Sequence, residues 1–291
     1  MKCRECLVMN VEGNGGSLSA ADEFEFERGR RREQQQRARR LRLDQLVAAL
    51  VPLALWQLAA QWIGKKWISS PVDVAGRIWM MMMDGSLVLH TWETFKEAML
   101  GLLIGVVFGV VGGIVLGLWR RLSDAVDPVV MGFYSLPRVS LAPLFIIWLG
   151  IGLLAKVTLV ASMVVFVVLF NVREGVRSID REIIDSFRSM NAPRSALIRH
   201  VIIPSLMPWL MTAIRIGIGM SLVGAVVGEL IGASKGLGWY VSHSSGIYDM
   251  TGAITALFIL MVLAMLFNGV LAIVERRVLH WRRSNDSWMV G

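Results

Sequence analysis

A chain of 291 residues that is 55% hydrophobic, with a mean hydropathy of +0.58 and only 18% charged residues, is too apolar for an ordinary soluble domain. Its net charge of +8 does not demand a nucleic-acid partner, because basic loops on one face of a membrane give the same balance. Catalysis finds no footing: there is no GxxxxGKS/T phosphate loop and no GxSxG elbow, and His90, His200, His243 and His280 lack metal-ligand spacing, so no metal or cofactor is expected.

Residues 1–44 are polar and basic, with eight arginines between Arg28 and Arg42, and are predicted to form a disordered or partly helical cytoplasmic arm near anionic headgroups. Cys3 and Cys6 lie in this arm and imply no disulfide framework. A signal peptide is not expected, because the first apolar segment follows about 45 polar residues.

Residues 45–283 are predicted to be one transmembrane domain, and 284–291 a cytoplasmic tail. Its six apolar segments, at about 46–63, 98–119, 126–149, 153–170, 209–231 and 253–274, predict an all-α membrane protein with about six spans. Of the 30 Lys and Arg residues, 22 fall on the side of the arm and six on the other. That bias predicts cytoplasmic termini and supports an even number of spans.

The second segment carries Gly101, Gly105, Gly109, Gly113 and Gly117 every four residues. On a helix this makes a smooth stripe that admits a close neighbour. The third segment is broken, since Pro137 and Arg138 interrupt its middle. Breaks in lipid are tolerated only against protein or a wet path, so Tyr134, Ser135, Pro137 and Arg138 are candidates for a translocation path. Arg138 suits an anionic solute; equally, it suits a kink in which it meets a neighbouring carboxylate or carbonyl. Glu229 is the one acid read within a span, as an interfacial or helix-capping carboxylate, and Arg215 lies close enough to the boundary to snorkel.

The loop 172–208 is too long for a simple connection and reads as two short helices. Asp180 or Ser178 caps the first, which runs to about Met190. Asn191 tolerates the conformation that closes a helix, and Pro193 suits the first turn of the next. Pro204 and Pro208 are expected to stop that second helix after Ile203.

In this loop Asp185, Ser186, Phe187, Asn191, Val201, Ile203 and Pro204 resemble the E-A-A-x3-G-x9-I-x-L-P motif of bacterial ABC importer permeases. Ser186 and Phe187 stand where that motif has alanines, and Asn191 where it has glycine. The stretches 141–152 and 227–238, and Ser69-Ser70-Pro71 with Val74, are similar to the nitrate, sulfonate and taurine group of these permeases. The resemblance covers roughly 46–280. It implies a type I importer bundle in the bacterial inner membrane, with a coupling-helix elbow (Asp185, Ser186, Phe187, Asn191, Ala192, Pro204) that docks on a separate ABC ATPase. It further implies a second permease copy, a periplasmic or lipid-anchored binding protein, and a small cargo such as a sulfonate, taurine or nitrate. An ion- or proton-coupled carrier without an ATPase is the alternative, and the scarcity of acids in the spans argues against it.

Overall fold

The computed structural model describes residues 44, 47–48, 50–62, 64, 67, 69–190 and 193–280. It divides into two units, Met1–Trp62 and Ile63–Gly291. In the first, residues 50–62 form helix α1, the described part of the first predicted segment. Apart from Asp44, the predicted arm lies outside the described residues, and so does the tail.

The second unit is helical, with no strand among the described residues. Its helices are α2 (Pro71–Met83), α3 (Ser86–Leu118), α4 (Arg120–Ser135), α5 (Ala142–Leu149), α6 (Leu153–Arg177), α7 (Arg181–Ser189), α8 (Arg194–Leu197), α9 (Ile203–Gly232), α10 (Leu237–Gly246) and α11 (Met250–Val278). Four helical runs are long and apolar enough to cross a bilayer: α3, α6, α11 and Ser195–Gly232, which holds α9. A bent pair, α4 with Arg138–Leu149, is long and apolar enough only when taken together and is turned by 78° at its break.

Local chemistry sets the helix starts. The Ser70 hydroxyl accepts from Asp73 N–H at 3.2 Å, and Pro71 fills the first turn of α2, where no N–H is needed. Gly85 turns the chain into α3 with φ +76°. Just before it, the Asp84 carboxylate accepts from Ser86 N–H at 2.9 Å, and Ser86 holds that carboxyl below its usual range.

The core is a ladder. A Cβ built on Gly101, Gly105, Gly109, Gly113 or Gly117 would collide with Val160, Val164, Val168, Val172 or Val176 respectively. Both series rise together in steps of four, so α3 and α6 run parallel, with backbone against side chain on every rung. A contact period above 3.6 residues gives such a pair a right-handed crossing. Beside this ladder, Gly224 seats against Val160 and Met163, and Gly217 lies near Leu102 and Val164. That series runs the opposite way, so α9 is antiparallel to α6. The outward faces stay apolar, as lipid requires: Phe108 is 66% exposed and Met265 62%.

Several bounds differ from the sequence reading. The second span starts at Ser86 rather than Ala98, so Glu93, Lys96 and Glu97 lie inside a helix. The fourth runs on to Arg177. The helix after Pro193 does not stop at Pro204 or Pro208; it continues as the span Ser195–Gly232. A π turn over Ile198–Ile202 shifts bonding to wider rings and puts Pro204 in the first turn of α9, where its missing N–H leaves no gap. Pro208 sits inside α9, and Thr212 donates to its carbonyl at 3.0 Å. The short helices α2 and α10 were not anticipated.

Candidate functional site

Three places concentrate polar groups. The first is a buried clamp near the start of α6, at the end of the bundle away from the loop 172–208. His90, Thr94, Glu97 and Gly101 are spaced 4, 3 and 4 residues apart, which puts them on one face of α3. All four are buried. Glu97 is paired with Lys156, and the pair extends the glycine–valine ladder by one rung. The second Glu97 oxygen is buried without a hydrogen-bond partner. Gly228 of α9 leaves room beside the Lys156 stem, where a Cβ would lie 3.0 Å from its Cγ.

Glu229 completes the clamp. It is 1% exposed and accepts from Thr94 Oγ1 at 2.6 Å and from Gly238 N–H at 2.5 Å. Leu237 N–H donates to Thr94 Oγ1 at 2.8 Å, and Gly236 N–H donates to His90 Nδ1 at 3.1 Å. Three successive N–H groups at the start of α10 are therefore received by side chains of α3 and α9. Glu229 caps a helix, as its sequence context suggested, but it does so from within the bundle rather than at an interface. Gly236, at φ +117°, has no room for a Cβ, which would lie 2.1 Å from Glu229 Oε1. His90 stacks on Trp239 at 5.3 Å, and Trp239 on His243 at 4.9 Å.

The sequence reading missed Glu97 and Lys156 as a membrane pair because it began the span at Ala98, just past Glu97, whereas the helix starts at Ser86. A signal was available: 90, 94 and 97 continue the stripe of Gly101 backwards.

The second place is the bend. Pro137 cannot continue α4, and the residue before a proline is driven to extended backbone; Leu136 has ψ 134°. A short 3-10 turn over Arg138–Leu141 restarts the helix. Arg138 Nη2 donates to Tyr134 O at 3.1 Å, and the guanidinium carbon lies 5.1 Å from the Tyr134 ring centre and 4.6 Å from that of Phe166. Tyr134 is edge-on to Phe170 at 5.0 Å. The Ser135 hydroxyl donates back to Met131 O at 2.9 Å. Thus Tyr134, Ser135, Pro137 and Arg138 are gathered at one turn, and Arg138 meets a carbonyl, as the kink reading allowed.

The third place is the elbow. Glu182 N–H donates to Asp180 Oδ1 at 3.0 Å, which caps α7. Asp185 and Ser186 are exposed, and Phe187 is half-buried. Ser186 and Ser189 hydroxyls donate back to Glu182 O and Asp185 O at 2.8 and 2.9 Å. Ile183 and Met190 present apolar surface to solvent beside these polar groups. Asn191 and Ala192 lie outside the described residues; Pro204 stands at the start of α9.

An apolar groove of about 650 Å³ between α3 and α11, lined by Leu87, Trp92, Phe95, Phe258 and Leu263 among others, carries no charged group. Among the described residues no cluster of His, Cys, Asp or Glu is built to hold a metal.

Residues 95–280 match the family model described as "Binding-protein-dependent transport system inner membrane component". The chain is 36% identical over 241 residues to the riboflavin transport system permease protein of Chloroflexus aurantiacus, covering 82% of this chain and 90% of that one. It is 26% identical over 242 residues to the formylaminopyrimidine transport permease protein of Halalkalibacterium halodurans (83% and 96%). It is 31% identical over 231 residues to a permease protein assigned to aliphatic sulfonates in Escherichia coli K12 (79% and 88%). Among solved structures, the inward-facing MetNI methionine ABC transporter aligns with a TM-score of 0.61 at 25% identity, over 67% of this chain and 97% of that one.

Proposed function

The chain belongs to the family of binding-protein-dependent transport system inner membrane components, and from that premise we propose that it is half of a permease pair driven through its elbow by separate ATPase subunits. It is a multi-pass inner-membrane permease of the ABC importer type. In the proposed working unit a second copy covers the open faces of α4 and α5, where Ile147 is 77% exposed and Trp148 66%. A periplasmic or lipid-anchored binding protein delivers a small solute to the other side. The bias of basic residues supports cytoplasmic termini and a cytoplasmic elbow.

One observation carries the coupling role. Helix α7 is nine residues long, follows directly on the central span α6, and leads back into the bundle through α8, the π turn and α9. A push on it therefore reaches two core spans, the kind of bistable element that alternating access needs. The family match favours this reading over a carrier that works without ATP.

The test replaces Asp185 with Lys. Proteoliposomes holding this chain, its ATPase and its binding protein should lose ATP-driven uptake and binding-protein-stimulated hydrolysis in D185K, while the variant still inserts and purifies. Uptake at the wild-type rate in D185K rejects the elbow as the docking element. Substituting Asn191 with Trp is a second probe of the same loop, with the same expected loss.

A further inference from the structure

Several cations of this bundle are paired with carboxylates, and Arg138 is not. Lys96 faces Glu93 at 2.7 Å, Lys156 faces Glu97, Arg173 faces Asp127, and Arg215 faces Glu275. Each of these cations meets a carboxylate. Arg138 meets none among the described residues: its contacts are one backbone carbonyl and the faces of two aromatic rings. A guanidinium has five N–H donors in a planar fork, and one of them is used here.

Its depth makes this significant. Phe166 lies ten residues beyond Lys156 and seven before Arg173 along α6, so about 15 Å and about 10 Å of helix separate it from the nearest charged residues on its two sides. Arg138 is therefore held near the middle of the span. A cation at that depth without a counter-charge is costly unless it faces a wet cavity or a partner. Rings supply part of the compensation, but a quadrupole is a weak substitute for a carboxylate. The site also lies at the 78° turn, where freed backbone groups need protein or water beside them.

We infer that Arg138 is the solute-binding cation of the translocation path, and that the solute carries an oxyanion group such as a sulfonate. This rests on the permease reading and adds a specificity-determining residue to it. The aromatic pair holds the guanidinium plane in place, leaving its free edge to take two oxygens of one anion, the fork geometry that arginine offers and lysine does not. Passing the anion on means returning Arg138 to its rings, so binding stays weak enough for release.

The experiment uses the whole importer in proteoliposomes, with ethanesulfonate, taurine and nitrate as anion-bearing probes and riboflavin as the uncharged one. ATP-driven uptake of at least one of the three is expected. R138Q should raise its half-saturation concentration by about tenfold or more, the loss of one charge-assisted contact. R138K, which keeps the charge and loses the fork, should raise it by less. Equal shifts in both variants indicate a packing role and overturn the assignment. Unchanged half-saturation in R138Q, or uptake of riboflavin with none of the three others, also overturns it. Failure of the permease reading looks different: the wild-type chain then fails to stimulate its ATPase at all.

Discussion

The clamp around Glu229 and the elbow around Asp185 use the same residue types to opposite ends. Both contain acids, serines or threonines, and a short helix next to a long one. In the clamp, Glu97, Lys156, Thr94 and Glu229 point inward, and the start of α10 is received by Glu229 of the preceding helix and by His90 and Thr94 from a remote part of the chain. In the elbow, Asp185 and Ser186 face solvent, and the serine hydroxyls bond back within their own helix. Buried polar groups that satisfy one another specify a unique geometry. Exposed ones leave a surface for something else to read. The difference teaches that one end of this bundle is fixed by its own contacts and the other is left exposed, as the proposed docking role requires.

Breaking the ion pair should have the largest effect on stability. Glu97→Gln leaves Lys156 buried without its counter-charge, a loss of about 3–5 kcal/mol. Thermal unfolding in detergent should show a sharply lower midpoint, and E97L combined with K156M should recover most of it. An unchanged midpoint in E97Q would mean that the clamp does not fix this end. Next comes the ladder: Gly105→Leu must fit a side chain where even a Cβ would come within 2.7 Å of Val164, an overpacking loss of about 1–3 kcal/mol. The same melt checks it, with Gly219→Leu as the control, since nothing lies within 4 Å of a Cβ there. The smallest shift belongs to the elbow. Asp185→Lys should change stability by no more than about 0.5 kcal/mol, a small shift in the same melt, while abolishing uptake. A large drop in its stability would erase the contrast between the two ends.

Much of this was legible beforehand, and the gaps have physical causes. The glycine stripe and the Pro137 break are local rules of backbone shape, so residue spacing alone exposed them. The clamp was hidden because it joins residues 143 and 146 positions apart, and because charged Glu93, Lys96 and Glu97 looked like the end of an apolar run. They are tolerated there because Glu93 and Lys96 pair with each other and Lys156 of α6 compensates Glu97, which no hydropathy sum can register. Pro204 and Pro208 misled in the other direction. A proline ends a helix in isolation, but a π turn upstream and packing on α6 let this one pass.

The constant offset of the α3–α6 ladder has a mechanical consequence. From Glu97–Lys156 to Gly117–Val176 every rung joins residues 59 positions apart. Successive rungs are about 6 Å apart along the axis. A shorter slide would drive each valine onto the side chains that flank its glycine, so intermediate positions have no seat. The two helices thus behave as meshed racks rather than greased rods. Motion delivered to the end of α6 cannot be lost as slip; it arrives at the clamp whole, or not at all.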